Sequence, residues 1–251
     1  MIPIRPLAGL LALALLGACA APLPTETPDP GPQVSPEVKS MYGAREDGGF
    51  AVPAVPDNFL TDHNVRQTIG FVTAEKPGTV VVDPWQRYLY FILPEGQAVR
   101  YGVAVGDEGR AFAGEAHIPY MRHWPSWRPT QNMIREFPET YARLADGMDG
   151  GVWNPLGARA LYLHQGNRDT YYRIHGTSDM GSIGSATSAG CIRMFHQDVI
   201  DLGDRVKSMT RVVVLTPEQS RQSILDNGGF PDPVQAPAIA SQVAPRQETN
   251  A

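Results

Sequence analysis

Cys191 lies in Ser188-Ala189-Gly190-Cys191-Ile192-Arg193-Met194, and upstream of it stands Ile174-His175-Gly176-Thr177. A thiol attacks as its thiolate, and a cysteine of ordinary pKa, about 8.5, needs a neighbouring base or cation to reach that form near neutrality. His175 and Arg193 are the sequence-local candidates. Gly190 lets the backbone approach a substrate closely, so the amides of Gly190 and Cys191 could face a developing oxyanion. Gly176, Gly181, Gly184 and Gly190 would let the intervening chain fold back on itself. The competing reading of a single cysteine is a small, buried, inert side chain. A zinc site built from Cys191 with His117, His123, His164 or His196 needs convergent tetrahedral ligands, and nothing in their spacing favours one.

These residues must be held by elements, and the signals between 78 and 216 are mainly strand-like. Thr79–Asp83, Arg87–Leu93 and Ala98–Val105 are β-branched or aromatic runs bounded by Gly or Pro, and Pro94-Glu95-Gly96 falls at hairpin distance. They predict an antiparallel meander. Ala158–Leu163 and Tyr171–His175 read as further strands, the second delivering His175 at its end. Met133, Ile134, Phe137, Tyr141 and Leu144 keep helical spacing, which Pro138 should split. After Cys191, the positions of Val199, Ile200, Leu202 and Val206 suit a short helix, before a strand over 211–215 that Pro217 stops. Trp124 and Trp127, in Trp-Pro-Ser-Trp-Arg-Pro-Thr, fit either a lid that stacks on substrate or core packing. The fold class expected is mostly β with short helices.

The chain has 251 residues, 42% of them hydrophobic, with 21 Lys+Arg against 26 Asp+Glu for a net charge of −5. That composition suits one globular domain and disfavours a nucleic-acid-binding role. Leu7–Ala18 is an apolar run too short to cross a bilayer as a helix, which needs about 20 residues, and it ends in Leu16-Gly17-Ala18-Cys19. We read 1–19 as a signal peptide of lipoprotein type with Cys19 lipidated; ordinary cleavage after Ala20 is the alternative. Ala20 in place of Asp favours an outer-membrane anchor, so the expected location is periplasmic. Residues 20–57 carry Pro22, Pro24, Pro28, Pro30, Pro32 and Pro36 and read as a flexible tether. A catalytic domain is expected over 58–225, with its core at 78–216, and a disordered tail over 226–251.

The motifs at His175-Gly176-Thr177, Gly184, Ser188, Gly190-Cys191, Arg193 and Met194 resemble the L,D-transpeptidase family and its YkuD-type catalytic domain, a β-sandwich or barrel. Asn154-Pro155-Leu156-Gly157-Ala158-Arg159-Ala160 also looks like the family segment leading to the strand before the His motif. Ala189 departs from the pattern, which most often has a second His there. The resemblance implies that Cys191 attacks the carbonyl of the third residue, an L-centred diamino acid, in a peptidoglycan stem tetrapeptide. Terminal D-alanine is released and a thioester remains, with His175 as general base and then acid, oriented by the Gly176 carbonyl, and the oxyanion held at Gly190. An amine from another stem, a D-amino acid or a protein lysine then resolves the thioester. Water as acceptor would make a carboxypeptidase, and loss of activity would leave a silent peptidoglycan-binding module. Arg193, Ser188, Trp124 and Trp127 are expected to contact substrate, and no cofactor or metal is implied.

Overall fold

The computed structural model describes residues 34–106, 112–186 and 191–228, and within them the meander forms. Strands β4 (Val80–Asp83), β5 (Tyr88–Ile92) and β6 (Gln97–Gly102) pair antiparallel in that order. Glu95 and Gly96 turn the second hairpin, both with positive φ (60° and 66°), as a primed two-residue turn requires. Val80–Val82 and the whole of β5 are apolar at every position because both faces are covered. Val80, Val82, Leu89, Phe91 and Val99 enter the main core, while Val81, Tyr90, Ile92 and Ala98 enter a second cluster with Phe71 and Val213.

The other strands are β1 (Arg45–Asp47), β2 (Phe50–Val52), β3 (Gln67–Gly70), β7 (Ala104–Val105), β8 (Gly114–Ile118), β9 (Met121–His123), β10 (Arg159–Gln165), β11 (Arg168–Gly176), β12 (Ile192–Met194) and β13 (Thr210–Val214). Among the described residues β1 and β2 form a hairpin of their own. The remaining strands make one sheet in the order β3-β6-β5-β4-β13-β8-β10-β11-β12-β7, with β9 also on β10. β6 and β7 are consecutive in the chain yet sit near opposite ends of this order, so the sheet curls round to meet itself. The architecture is mostly β with short helices, as expected.

Helices α1 (Pro36–Met41), α2 (Gln131–Glu136), α3 (Pro138–Tyr141), α4 (His196–Arg205) and α5 (Pro217–Asp226) complete the fold. Pro138 does split the helical stretch, ending α2 and taking a first-turn position of α3. α4 buries Val199, Ile200 and Leu202 in the main core. Pro217 stops β13 and also opens α5, a helix the sequence reading omitted, behind a Thr216–Gln219 capping box.

The tether expected over 20–57 is corrected from residue 34 onward. Ser35 caps α1, Tyr42 and Val52 are each 1% exposed, and Val55 packs with Leu60, Val65 and Phe195. Proline density suggested an extended spacer, but Tyr42, Val52 and Val55 each find a socket. The folded domain therefore begins before 58. Cys19, the signal peptide, residues 20–33 and the tail beyond 228 lie outside the described residues.

Candidate active site

β11 and β12 run parallel, with Ile174 opposite Ile192 and His175 opposite Arg193. Ile174, Ile192 and Met194 point into the core, so strand alternation turns His175 and Arg193 to the other face. Cys191 stands immediately before β12, two residues from Arg193. It is half-buried. The parallel pairing of β11 with β12 thus brings the residue before β12, Cys191, alongside the strand that carries His175. Thr187, Ser188, Ala189 and Gly190 in that loop lie outside the described residues, and the expected roles of Ser188 and Gly190 lie there with them.

His175 is 4% exposed, and its Nδ1 is 2.6 Å from the Gly176 carbonyl oxygen. A carbonyl only accepts, so the neutral ring carries its proton on Nδ1 and keeps the Nε2 lone pair for a proton. Burial lowers the imidazole to about 4, with Arg193 and Arg173 acting the same way and the Gly176 and Pro155 carbonyls opposing. His175 is therefore neutral at neutral pH. A neutral His175 offers its surroundings a base, the Nε2 lone pair, rather than a cation.

The segment from Trp124 to Gly157, between β9 and β10, contributes the Pro155 carbonyl to the His175 ring. Its base is fastened by His196, the first residue of α4. The Ala158 amide donates to His196 Nδ1 (3.2 Å), which leaves Nε2–H to donate to the Val152 carbonyl (3.2 Å). Gly157 has φ +60°, and a Cβ there would come within 2.6 Å of the His196 ring. Asn154 ties the same segment by donating to the Met148 and Asp149 carbonyls. His196 was considered only as a metal ligand in the sequence, where nothing marks it as a fastener.

Trp124 is corrected as a substrate contact. It is 9% exposed, its indole N–H donates to Asp47 (2.7 Å), and its ring lies against Phe50 at 4.5 Å. Asp47 also takes both terminal nitrogens of Arg159 (2.7 and 2.8 Å), so β1 clamps Trp124 to the start of β10. Trp127 is half-buried and lines a cavity of about 540 Å³ with Ser126, Arg128 and Asp146–Asp149. Arg193 approaches Asp179 at 3.9 Å, a long and partly exposed ion pair worth little. Beneath the site, the fully buried Asp198 of α4 accepts from the Tyr42 hydroxyl (2.9 Å) and from Arg66 (3.1 Å). Burial pushes its carboxyl upward, and Arg66 and Tyr42 hold the charged form.

The sequence model of the YkuD family, the L,D-transpeptidase catalytic domain, matches residues 77–214, more than half of the chain. The probable L,D-transpeptidase ErfK/SrfK of Escherichia coli (strain K12) is 30% identical over 139 residues, 54% of this chain and 43% of that protein. The chain thus matches less than half the length of that relative. A putative L,D-transpeptidase from the ATP synthase subunits region of Fuscovulum blasticum is 29% identical over 208 residues, 82% of this chain and 95% of its own. A solved structure from Brucella melitensis, described as a probable carnitine operon oxidoreductase, is 51% identical over 62% of this chain and 96% of its own, with a TM-score of 0.43. That name is the Brucella protein's own. The family match covers the strands that carry His175 and Cys191, and on it we conclude that this chain belongs to the L,D-transpeptidase family with a YkuD catalytic domain.

Proposed function

We propose that the protein is a cysteine acyltransferase acting on peptidoglycan stem peptides. The observation that supports this reading is the parallel pairing of β11 with β12, which brings the chain at Cys191 alongside the strand of His175, whose Nδ1 is bound to the Gly176 carbonyl. Cys191 Sγ attacks the third-residue carbonyl of a tetrapeptide as His175 Nε2 takes the thiol proton. The C–N bond to the terminal D-alanine breaks, and its amine leaves with that proton, giving a thioester on Cys191. An acceptor amine then attacks the thioester, passing a proton through His175, and the thiol is restored. With a second stem as acceptor the product is a 3→3 cross-link. Gly190 would supply an amide to the oxyanion. Leu16-Gly17-Ala18-Cys19 supports a lipidated Cys19 and a periplasmic, outer-membrane-anchored site of action.

The test is to incubate the protein with disaccharide-tetrapeptide and follow masses, with Cys191→Ala as control. Loss of D-alanine together with a cross-linked dimer is expected. Unchanged substrate beside a folded protein would overturn the reading, and so would equal turnover by the Cys191→Ala variant. Cys19→Ala should release the protein from the membrane fraction; its persistence there would refute lipidation.

A further inference from the structure

The face that carries His175 extends past it over β10 and β9. Register aligns Arg122 of β9 with Ala160 of β10, Ala160 with His175, and His175 with Arg193. The next row along runs from Tyr120 through Tyr162 to Arg173, with the Tyr162 amide donating to the Tyr120 carbonyl, and ends beside the chain at Cys191, one residue before β12. Tyr120 and Tyr162 stack at 4.5 Å. Two guanidinia lie over Tyr162, that of Arg173 at 4.2 Å and that of Arg122 at 5.6 Å. Their electrostatic states differ. Arg173 is held by both oxygens of Asp169 at 2.8 Å, which leaves it little to offer a ligand. Arg122 is exposed, lies 6.0 Å from the Tyr120 ring, and forms no ion pair among the described residues.

We infer that Arg122, seated on the Tyr120–Tyr162 pair, binds a non-scissile carboxylate of the acyl-donor peptide about 10 Å from the carbonyl that Cys191 attacks. This rests on the stem-peptide reading above. Neighbouring strands lie about 4.8 Å apart, so the Tyr162 backbone is roughly 10 Å from that of Cys191, a span that an extended peptide covers in about three residues. A guanidinium presents a fork that matches a carboxylate, and the two rings beneath it restrict where the fork points. The chain is acidic overall, which makes a cation on the reacting face, without an ion pair among the described residues, a discriminating feature for an acidic peptide.

The experiment measures binding to the Cys191→Ala protein, which holds substrate without turnover, by calorimetry with two donor tetrapeptides. In one the non-scissile carboxylates are free; in the other they are amidated. Arg122→Gln should weaken binding of the free peptide about tenfold, about 1.4 kcal/mol, and leave the amidated one unchanged. Arg122→Lys should recover part of the loss. With Cys191 intact, Arg122→Gln should raise KM by a similar factor while kcat stays within threefold. Equal binding of the free peptide with and without Arg122, or an equal loss for both peptides, would overturn the assignment of Arg122 alone. Failure of the parent to bind either peptide would overturn the stem-peptide reading with it.

Discussion

At the residue scale the imidazole of His175 sets the pH behaviour. Its folded pKa, about 4, lies below the ordinary 6.5, so the basic form needed for catalysis persists from neutrality down to about pH 4 and is lost below it. The acid limb of kcat/KM reports the free enzyme's base, so its inflection is expected below pH 5. An inflection at 6.5 or above, in protein whose far-ultraviolet spectrum is unchanged, would contradict the neutral buried ring. Gly157→Ala should cost more than about 1 kcal/mol in chemical denaturation, since a Cβ at φ +60° also meets the His196 ring. His175, Gly176 and Cys191 were legible because their neighbours form compact local motifs. Arg122 was not, since its alignment with His175 exists only through two strand registers.

Elements explain how the catalytic face is kept in place. α4 follows β12 directly, so the helix that fills the core also carries His196 to the base of the Trp124–Gly157 segment. On the opposite flank, β1 supplies Asp47 to Arg159, whose side chain is only 4% exposed. Asp47→Ala would leave that guanidinium buried without a carboxylate and the Trp124 N–H without its acceptor. A loss of about 3–5 kcal/mol is expected in urea unfolding, and a loss under 1 kcal/mol would show that water replaces the carboxylate. Strands such as β4 and β5 were readable because unbroken apolar runs have few alternatives. β8, Gly-Glu-Ala-His-Ile, lacks such a run and is a strand only because β13 and β10 flank it. α5 was hidden because a proline that ends a strand can equally begin a helix.

Across the whole molecule, the segment before residue 58 is part of the domain, contrary to its proline-rich appearance. A chain beginning at 34 should unfold cooperatively. One beginning at 58 loses Tyr42, Val52 and Val55 from the core, the Tyr42 hydroxyl from Asp198, and the Tyr42, Gly43 and Pro53 carbonyls from the Gln197 amide. If these together cost about 5 kcal/mol, the melting temperature falls by roughly 10–20 °C. An unchanged melting temperature would make the segment an appendage. The general character of the fold followed from pattern, whereas the order of the strands did not, because pairing depends on which distant edges meet. The position of β13 has a kinetic consequence. It lies between β4 and β8, pairing Val212 with Val80 and with Ala116, more than ninety residues back in each case. Until residues 210–214 arrive, β4 and β8 each present an open edge, and such edges recruit strands from other chains. Refolding is therefore expected to be slow and to lose yield as protein concentration rises, with aggregation beginning from species that lack their last strand.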